Sequence, residues 1–231
     1  MTTQYGLETL LSTLTLLLSP QSPQLPPSSS ARIYIHVISL TTTAISLHRT
    51  KLRGRFHLLS PLLQALLSCL FTPEQSQQHY RSSLSTSKTY ERLPPWLDPK
   101  RSKPLPVSAG TSFARVMTTL CSPSVSSATA HRSKSRTAAA PLVDETAKAR
   151  AYAGQYVAGV VQRYCTEQLR GRLAPGVRAE VMPGLWAALE VMERDAMRVM
   201  SAGLGSSERA IWKTLWDDWR RRKRGQGGRV D

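Results

Sequence analysis

Cysteine is scarce in this chain, acidic residues are outnumbered two to one, and no long apolar run occurs. Cys69, Cys121 and Cys165 lie 52 and 44 residues apart. No CxxC pair or His/Cys cluster accompanies them, so neither a disulfide framework nor a zinc site is supported. Thiols this sparse on apolar helix faces read as small packed hydrophobes in a reducing compartment. The longest uncharged apolar run, Leu58 to Phe71, has 14 residues, short of the ~20 that a membrane span needs. The N-terminus has no basic stretch and carries Glu8 at its apolar run, which argues against a secretory signal. A soluble intracellular protein is expected.

The parts of an enzyme are missing too. The histidines at 36, 48, 57, 79 and 131 show no HxxxH or HExxH spacing. The glycines from Gly225 to Gly228 follow no strand and precede no helix, so they fail the context test for a nucleotide loop. Close carboxylates occur as Glu190 with Glu193 and as Asp217 with Asp218. Each pair has basic residues four positions on (Glu190–Arg194, Asp217–Arg221, Asp218–Arg222), which reads as surface pairing along a helix. No catalytic residue, cofactor site or metal site is expected, and the chain is read as a non-enzyme.

What the chain has in excess is positive charge. Lys and Arg number 31 against 15 Asp and Glu, a net charge of +16. Residues 1–140 hold 15 basic and 4 acidic groups (+11), and residues 141–231 hold 16 and 11 (+5). The stretch from Arg220 onward, with 6 basic groups and 1 acidic, supplies the whole of that second surplus. Charge of this kind suits RNA or acidic protein tails; a basic surface that only maintains solubility is the alternative.

The hydrophobic spacing predicts helices. Residues 7–18 form a short apolar helix ended by Pro20, and the Pro/Ser-rich stretch after it is a break. Residues 31–50 are rich in β-branched residues, yet Ile35, Ile38, Thr42, Ile45 and His48 recur near helical spacing, so a helix is expected there. Phe56, Leu59, Leu63, Leu66, Leu67 and Leu70 make an apolar stripe, with Pro61 either at the first position of the helix or at a kink. Residues 73–108 are polar and Pro-rich and read as a disordered linker. A short helix follows over roughly 110–121, with Phe113, Val116, Met117 and Leu120 on one face, and then a second disordered linker over 122–142.

From residue 143 three helices are expected. The first, from near Asp144, carries Val157, Val160, Val161, Tyr164, Cys165 and Leu169. The second, from about Val177 to Met200, bends at Pro183–Gly184 and presents Leu185, Leu189, Met192, Ala196, Val199 and Met200. Gly203 is expected as a left-handed cap, with Ser206 or Ser207 capping the third helix. That helix carries Ile211, Trp212, Leu215, Trp216 and Trp219 and dissolves into the basic tail. The fold class is therefore all-α, a helical bundle or solenoid-like helical-repeat unit with long disordered linkers. Its parts are an N-terminal helical segment (1–72), a linker (73–108), a short helix (109–121), a second linker, a three-helix module (143–222) and a basic tail (223–231).

Two cationic clusters stand out. Arg49, Lys51, Arg53 and Arg55 lie between two apolar helices, as a phosphate-contact loop or as a solvated turn. Arg220, Arg221, Arg222, Lys223 and Arg224 suit a nuclear or nucleolar localisation signal, an RNA-binding tail or both, with a plain solvated tail as the alternative. Trp212, Trp216 and Trp219, at helical spacing, read as core or as a protein-docking face, and less readily as a base-stacking stripe.

Residues 47–71, a basic turn followed by a Leu-rich helix, resemble a segment of one family, and residues 147–221 resemble its closing module. The most specific parts run from Leu173, Pro175, Val177 and Arg178 through Met182-Pro183-Gly184-Leu185, and from Ser206 to Ile211 ahead of the aromatic-acidic Leu215–Trp219 helix. Trp216 and Trp219 stand where Tyr is expected. The family is the fungal nucleolar pre-ribosomal-associated family for large-subunit pre-rRNA processing, also called unhealthy ribosome biogenesis protein 2. The resemblance implies the α-helical C-terminal domain of a much larger scaffold of early pre-60S particles in the nucleolus. It further implies pre-rRNA and other assembly factors as partners: a companion large helical scaffold protein, a DEAD-box helicase and an RNA-recognition-motif protein. It brings no catalytic residues, no membrane and no small-molecule ligand. The alternative is a stand-alone, sequence-indifferent RNA-binding protein acting through its basic segments.

Overall fold

The computed structural model of the chain describes residues 3–52, 55–73, 93–98, 101–122 and 145–227. Arg53 and most of the two expected linkers, 74–92 and 123–144, lie outside the described residues. The fold is all-α. Among the described residues no helix is long and apolar enough to cross a membrane.

Helix α1 (Gln4–Leu17) starts where the Thr3 hydroxyl accepts the Gly6 N–H at 3.0 Å, an N-cap that satisfies one orphan donor of the first turn. It buries Leu7, Leu11 and Leu14. Helix α2 (Ser30–Leu47) is helical as expected, but its buried face is turned by about one residue. Tyr34, Val37, Ile38, Thr41, Ala44 and Ile45 are buried, and Ile35, Thr42 and His48 are only half-buried. The threonines explain how this β-branched stretch accepts a helix. Thr41, Thr42 and Thr43 each donate their hydroxyl to the carbonyl four residues back, at 2.8–2.9 Å, so a Thr side chain enters the core with its polar group satisfied.

After the short α3 (Arg49–Leu52), α4 (Phe56–Ser68) starts before Pro61, which faces solvent inside the helix, rather than beginning there. Leu59, Leu63, Leu66, Leu67 and Leu70 are buried as their spacing predicted. The Tyr34 hydroxyl donates to the Leu66 carbonyl at 3.0 Å and fixes α2 on α4. Strand β1 (Thr72–Pro73) pairs antiparallel with β2 (Gly171–Arg172), Thr72 opposite Arg172. A Cβ at Gly171 would lie 2.7 Å from the Thr72 carbonyl oxygen, so this two-residue ladder needs glycine there.

Part of the stretch read as linker belongs to the core. A single 3-10 turn, Pro95–Leu97, buries Trp96 and Leu97. Trp96 is wholly enclosed, and its indole N–H donates to the Leu17 carbonyl at 2.9 Å, one of the acceptors left without an intrahelical partner at the end of α1. Composition around this tryptophan is that of a loop, but one indole with a backbone acceptor suffices to tie the segment down. Leu105 is buried as well.

Helix α5 (Val107–Cys121) begins three residues earlier than expected and buries Phe113, Val116, Met117 and Leu120 as predicted. It packs on α2 and, most extensively, on α7 (Pro175–Val191). Small residues allow that approach. A Cβ at Gly184 would sit 2.8 Å from the Ala114 Cα, and one at Gly110 would sit 2.9 Å from the Val177 carbonyl oxygen. Helix α6 (Glu145–Gln168) lies against α4 and α7. It buries Val157, Val160, Val161, Tyr164 and Cys165, whereas Leu169, just past its end, is half exposed.

The C-terminal part has four helices instead of three. Pro175 occupies the first position of α7 and the helix continues through the outward-facing Pro183. The break falls at Met192–Glu193, both extended, and separates Glu190 from Arg194, so these two do not pair along one helix. Helix α8 (Arg194–Gly203) buries Met200 but leaves Val199 75 % exposed, and Gly203 is not left-handed. Helix α9 (Ser206–Gly227) extends through the whole Arg220–Arg224 run. One hydrophobic cluster reaches from Leu7 to Leu215, so the C-terminal helices share their core with α1, α2, α4 and α5.

Candidate nucleic-acid interface

Helix α9 is anchored at its start. Gly205, not a serine, occupies the cap position, and Glu208 reaches back to accept its N–H at 3.0 Å, half of a capping box. The same carboxylate accepts the Thr166 hydroxyl of α6 at 2.7 Å. Those two hydrogen bonds, Thr166 first and the Gly205 N–H second, hold the Glu208 carboxyl below its ordinary pKa. The contribution of such a group is present above its unfolded-state pKa and disappears as pH falls through the lower folded-state value. The melting temperature of the wild type should therefore fall more steeply than that of Glu208→Gln between about pH 6 and about pH 3. Superimposable melting profiles would remove the cap from the account of stability.

Beyond that anchor Trp212 and Leu215 are buried, and Ile211, Trp216 and Trp219 lie half-buried against the core. The three indoles are in ring contact along α9, with centroids 5.7 Å apart from Trp212 to Trp216 and 4.7 Å apart from Trp216 to Trp219. The stripe is thus largely occupied by the fold, and its C-terminal end meets the cations. Arg222 lies over the Trp186 ring of α7 at 4.3 Å and Lys223 over the Trp219 ring at 4.9 Å. Arg221 pairs with Asp218, three residues back, in place of the expected Asp217. Arg220 to Arg224 are all exposed. Trp219, Arg220, Lys223 and Arg224 line a groove of about 270 Å³. Among the described residues, the buried indole N–H groups of Trp186 and Trp219 have no hydrogen-bond partner.

The first basic cluster is used differently. Arg49 is half-buried and donates to the Thr119 carbonyl at 3.4 Å and to the Leu120 carbonyl, so its guanidinium satisfies acceptors in the last turn of α5 and complements the negative end of that helix. Arg55 pairs with Glu8 at 3.1 Å. The Lys51 carbonyl accepts from Gln4 at 3.4 Å, and the Leu52 carbonyl accepts the Tyr156 hydroxyl at 2.6 Å. The loop fastens α1, α5 and α6 to one another. Arg53 lies outside the described residues; of the other three cations, Arg49 and Arg55 are engaged within the fold.

Trp186 is the participant that the sequence alone does not reveal. Its neighbour Arg222 is 36 residues away, and no local spacing links them. Burial pushes all three cysteine thiols up to about 12, so they stay protonated near neutral pH. Among the described residues no group of three or more His, Cys, Asp or Glu side chains could hold a metal ion. No curated protein and no solved structure matches the chain. Residues 1–227 match the Urb2/Npa2 family, in agreement with the resemblance read from the basic turn and the closing module, and the chain belongs to that family of ribosome-biogenesis factors.

Proposed function

We propose that this chain is a non-catalytic scaffold of early 60S subunit assembly and pre-rRNA processing in the nucleolus. In this reading its helical body joins other assembly factors of the pre-60S particle, among them a companion large helical scaffold protein, and the cationic end of α9 contacts pre-rRNA. Family membership carries ribosome biogenesis, a nuclear setting and involvement with pre-ribosomal particles. The observation that supports the RNA contact is the exposed run Arg220–Arg224, presented on a helix whose other end is capped and packed. Fixing the cations on a helix lowers the ordering cost of contacting a phosphate backbone.

The test replaces Arg220, Arg221, Arg222, Lys223 and Arg224 with Gln in the full chain. Melting should change by only a few degrees, since macrodipole effects are ~0.3–1 kcal/mol each and confined to the last turn. The salt dependence of single-stranded RNA binding should flatten by ~2 units if Arg220, Lys223 and Arg224 each lose a phosphate, and by up to ~3.5 if all five do. Nucleolar accumulation should weaken. Co-sedimentation of the wild type with large-subunit precursors should persist at salt that strips free RNA, because protein docking is less screened. Loss of that co-sedimentation at high salt would favour a stand-alone RNA binder, and an unchanged salt slope would overturn the RNA contact.

A further inference from the structure

The two features that stand apart in the sequence, an aromatic stripe and a basic run, converge on one groove. Trp219 is their meeting point. It touches Trp216 one turn earlier, carries the Lys223 ammonium on its ring one turn later, and lines the groove with Arg220, Lys223 and Arg224. On a helix, positions 216, 219, 220, 223 and 224 fall at i, i+3, i+4, i+7 and i+8, a single face. Among the described residues the lining offers three cations and an indole, and no carboxylate; Asp218 is already engaged by Arg221. Every strong polar group in the groove is a donor, so its occupant must bring acceptors and negative charge.

From this arrangement, and resting on the RNA contact proposed above, we infer that the groove is a single-stranded RNA site: an unpaired base stacks on Trp219 while Arg220, Lys223 and Arg224 hold the flanking phosphates. An aromatic platform bordered by cations is the form in which single strands are bound without sequence preference. Duplex RNA keeps its bases stacked inside and would use the cations alone. An acidic peptide would satisfy the cations but has no flat π-face to match the indole. The size agrees, since about 270 Å³ is just below the ~300–1,000 Å³ of small-molecule pockets and has room for a single base. Stacking requires Lys223 to leave the ring, which its flexible four-carbon stem permits, and the displaced ammonium then lies beside a phosphate.

The test compares three ligands on the full wild-type chain: a fluorescent oligouridine, an abasic oligomer of the same length and charge, and a poly-glutamate peptide. The oligouridine should bind roughly 5- to 140-fold more tightly than the abasic oligomer, as expected for one stacked base, and the peptide should bind no better than the abasic strand. In Trp219→Ala the preference for bases should vanish with the salt slope unchanged, and in Trp219→Phe it should largely return. The abasic comparison needs no variant, so the inference stays testable even if Trp219→Ala fails to fold. Equal affinity for the base-bearing and abasic strands overturns it, as does peptide binding that matches the oligouridine. Either result leaves co-sedimentation of the chain with large-subunit precursors unaffected, so failure of the stacking site is separable from failure of the assembly role.

Discussion

Leu189→Asp is expected to abolish cooperative unfolding of the whole chain, and not of its C-terminal helices alone. Leu189 is 1 % exposed on α7, in the helix that packs against both α5 and α6. Losing the leucine's buried packing costs ~2–5 kcal/mol and an unpaired buried carboxylate costs several more, together comparable with the total stability of ~5–15 kcal/mol for an ordinary domain. The hydrophobic cluster is continuous from Leu7 to Leu215, so the loss spreads. Opening α7 uncovers α5, on which α2 rests, and α6, on which α4 rests. Hydrogen exchange read helix by helix should show α1, α2 and α4 losing protection together with α7. Retained protection in α1 to α4 would mean that residues 143–222 fold as a separate module, the organisation read from composition. Unchanged protection everywhere would mean that Leu189 is not a core residue.

Gly184→Val should cost the next most. A Cβ at that position meets the Ala114 Cα at 2.8 Å, the Met117 Cβ at 3.1 Å and the Ala114 Cβ at 3.3 Å. None of these is the tip of a flexible side chain, so α5 and α7 must part to admit the new atoms. Overpacking a tight contact costs ~1–3 kcal/mol, and valine belongs at the upper end because both of its branches enter the same space. At ~2–4 °C per kcal/mol for a chain of this size, melting should drop by roughly 6–12 °C. Gly203→Ala is the control. Nothing lies within 4 Å of its Cβ position and its backbone is not left-handed, so alanine should be neutral or raise melting slightly. Equal effects at the two glycines would remove the close α5–α7 contact from the account of stability.

The sequence by itself determined the class of the fold, the stripes of α4, α5 and α6, and the presence of a cationic run. The stripes repeat about every 3.6 residues, so residues three and four apart share one helix face and the pattern can be read without a partner. The wholly buried Leu59, Leu63 and Leu66, and likewise Phe113, Val116 and Leu120, follow from spacing alone. The family resemblance was legible for the same reason, since it rests on contiguous residues.

Only the tertiary structure decided what individual polar and aromatic side chains do, because each of those roles needs a group from a distant segment. Thr41 is buried because its hydroxyl turns back on Val37, but which face of α2 turns inward depends on α4 and α5. Trp96 enters the core because the Leu17 carbonyl, 79 residues earlier, is free to accept from it. Arg49 is drawn inward by carbonyls at 119 and 120, partners that neither a phosphate loop nor a solvated turn, the two readings open from sequence, would give it. Helix α9 continues through the cations to Gly227, with Arg222 on Trp186 and Arg221 on Asp218. A periodic pattern encodes which residues turn inward together. Which element they meet there is set by packing, and packing brings Trp219 and three cations of the basic run to the same groove.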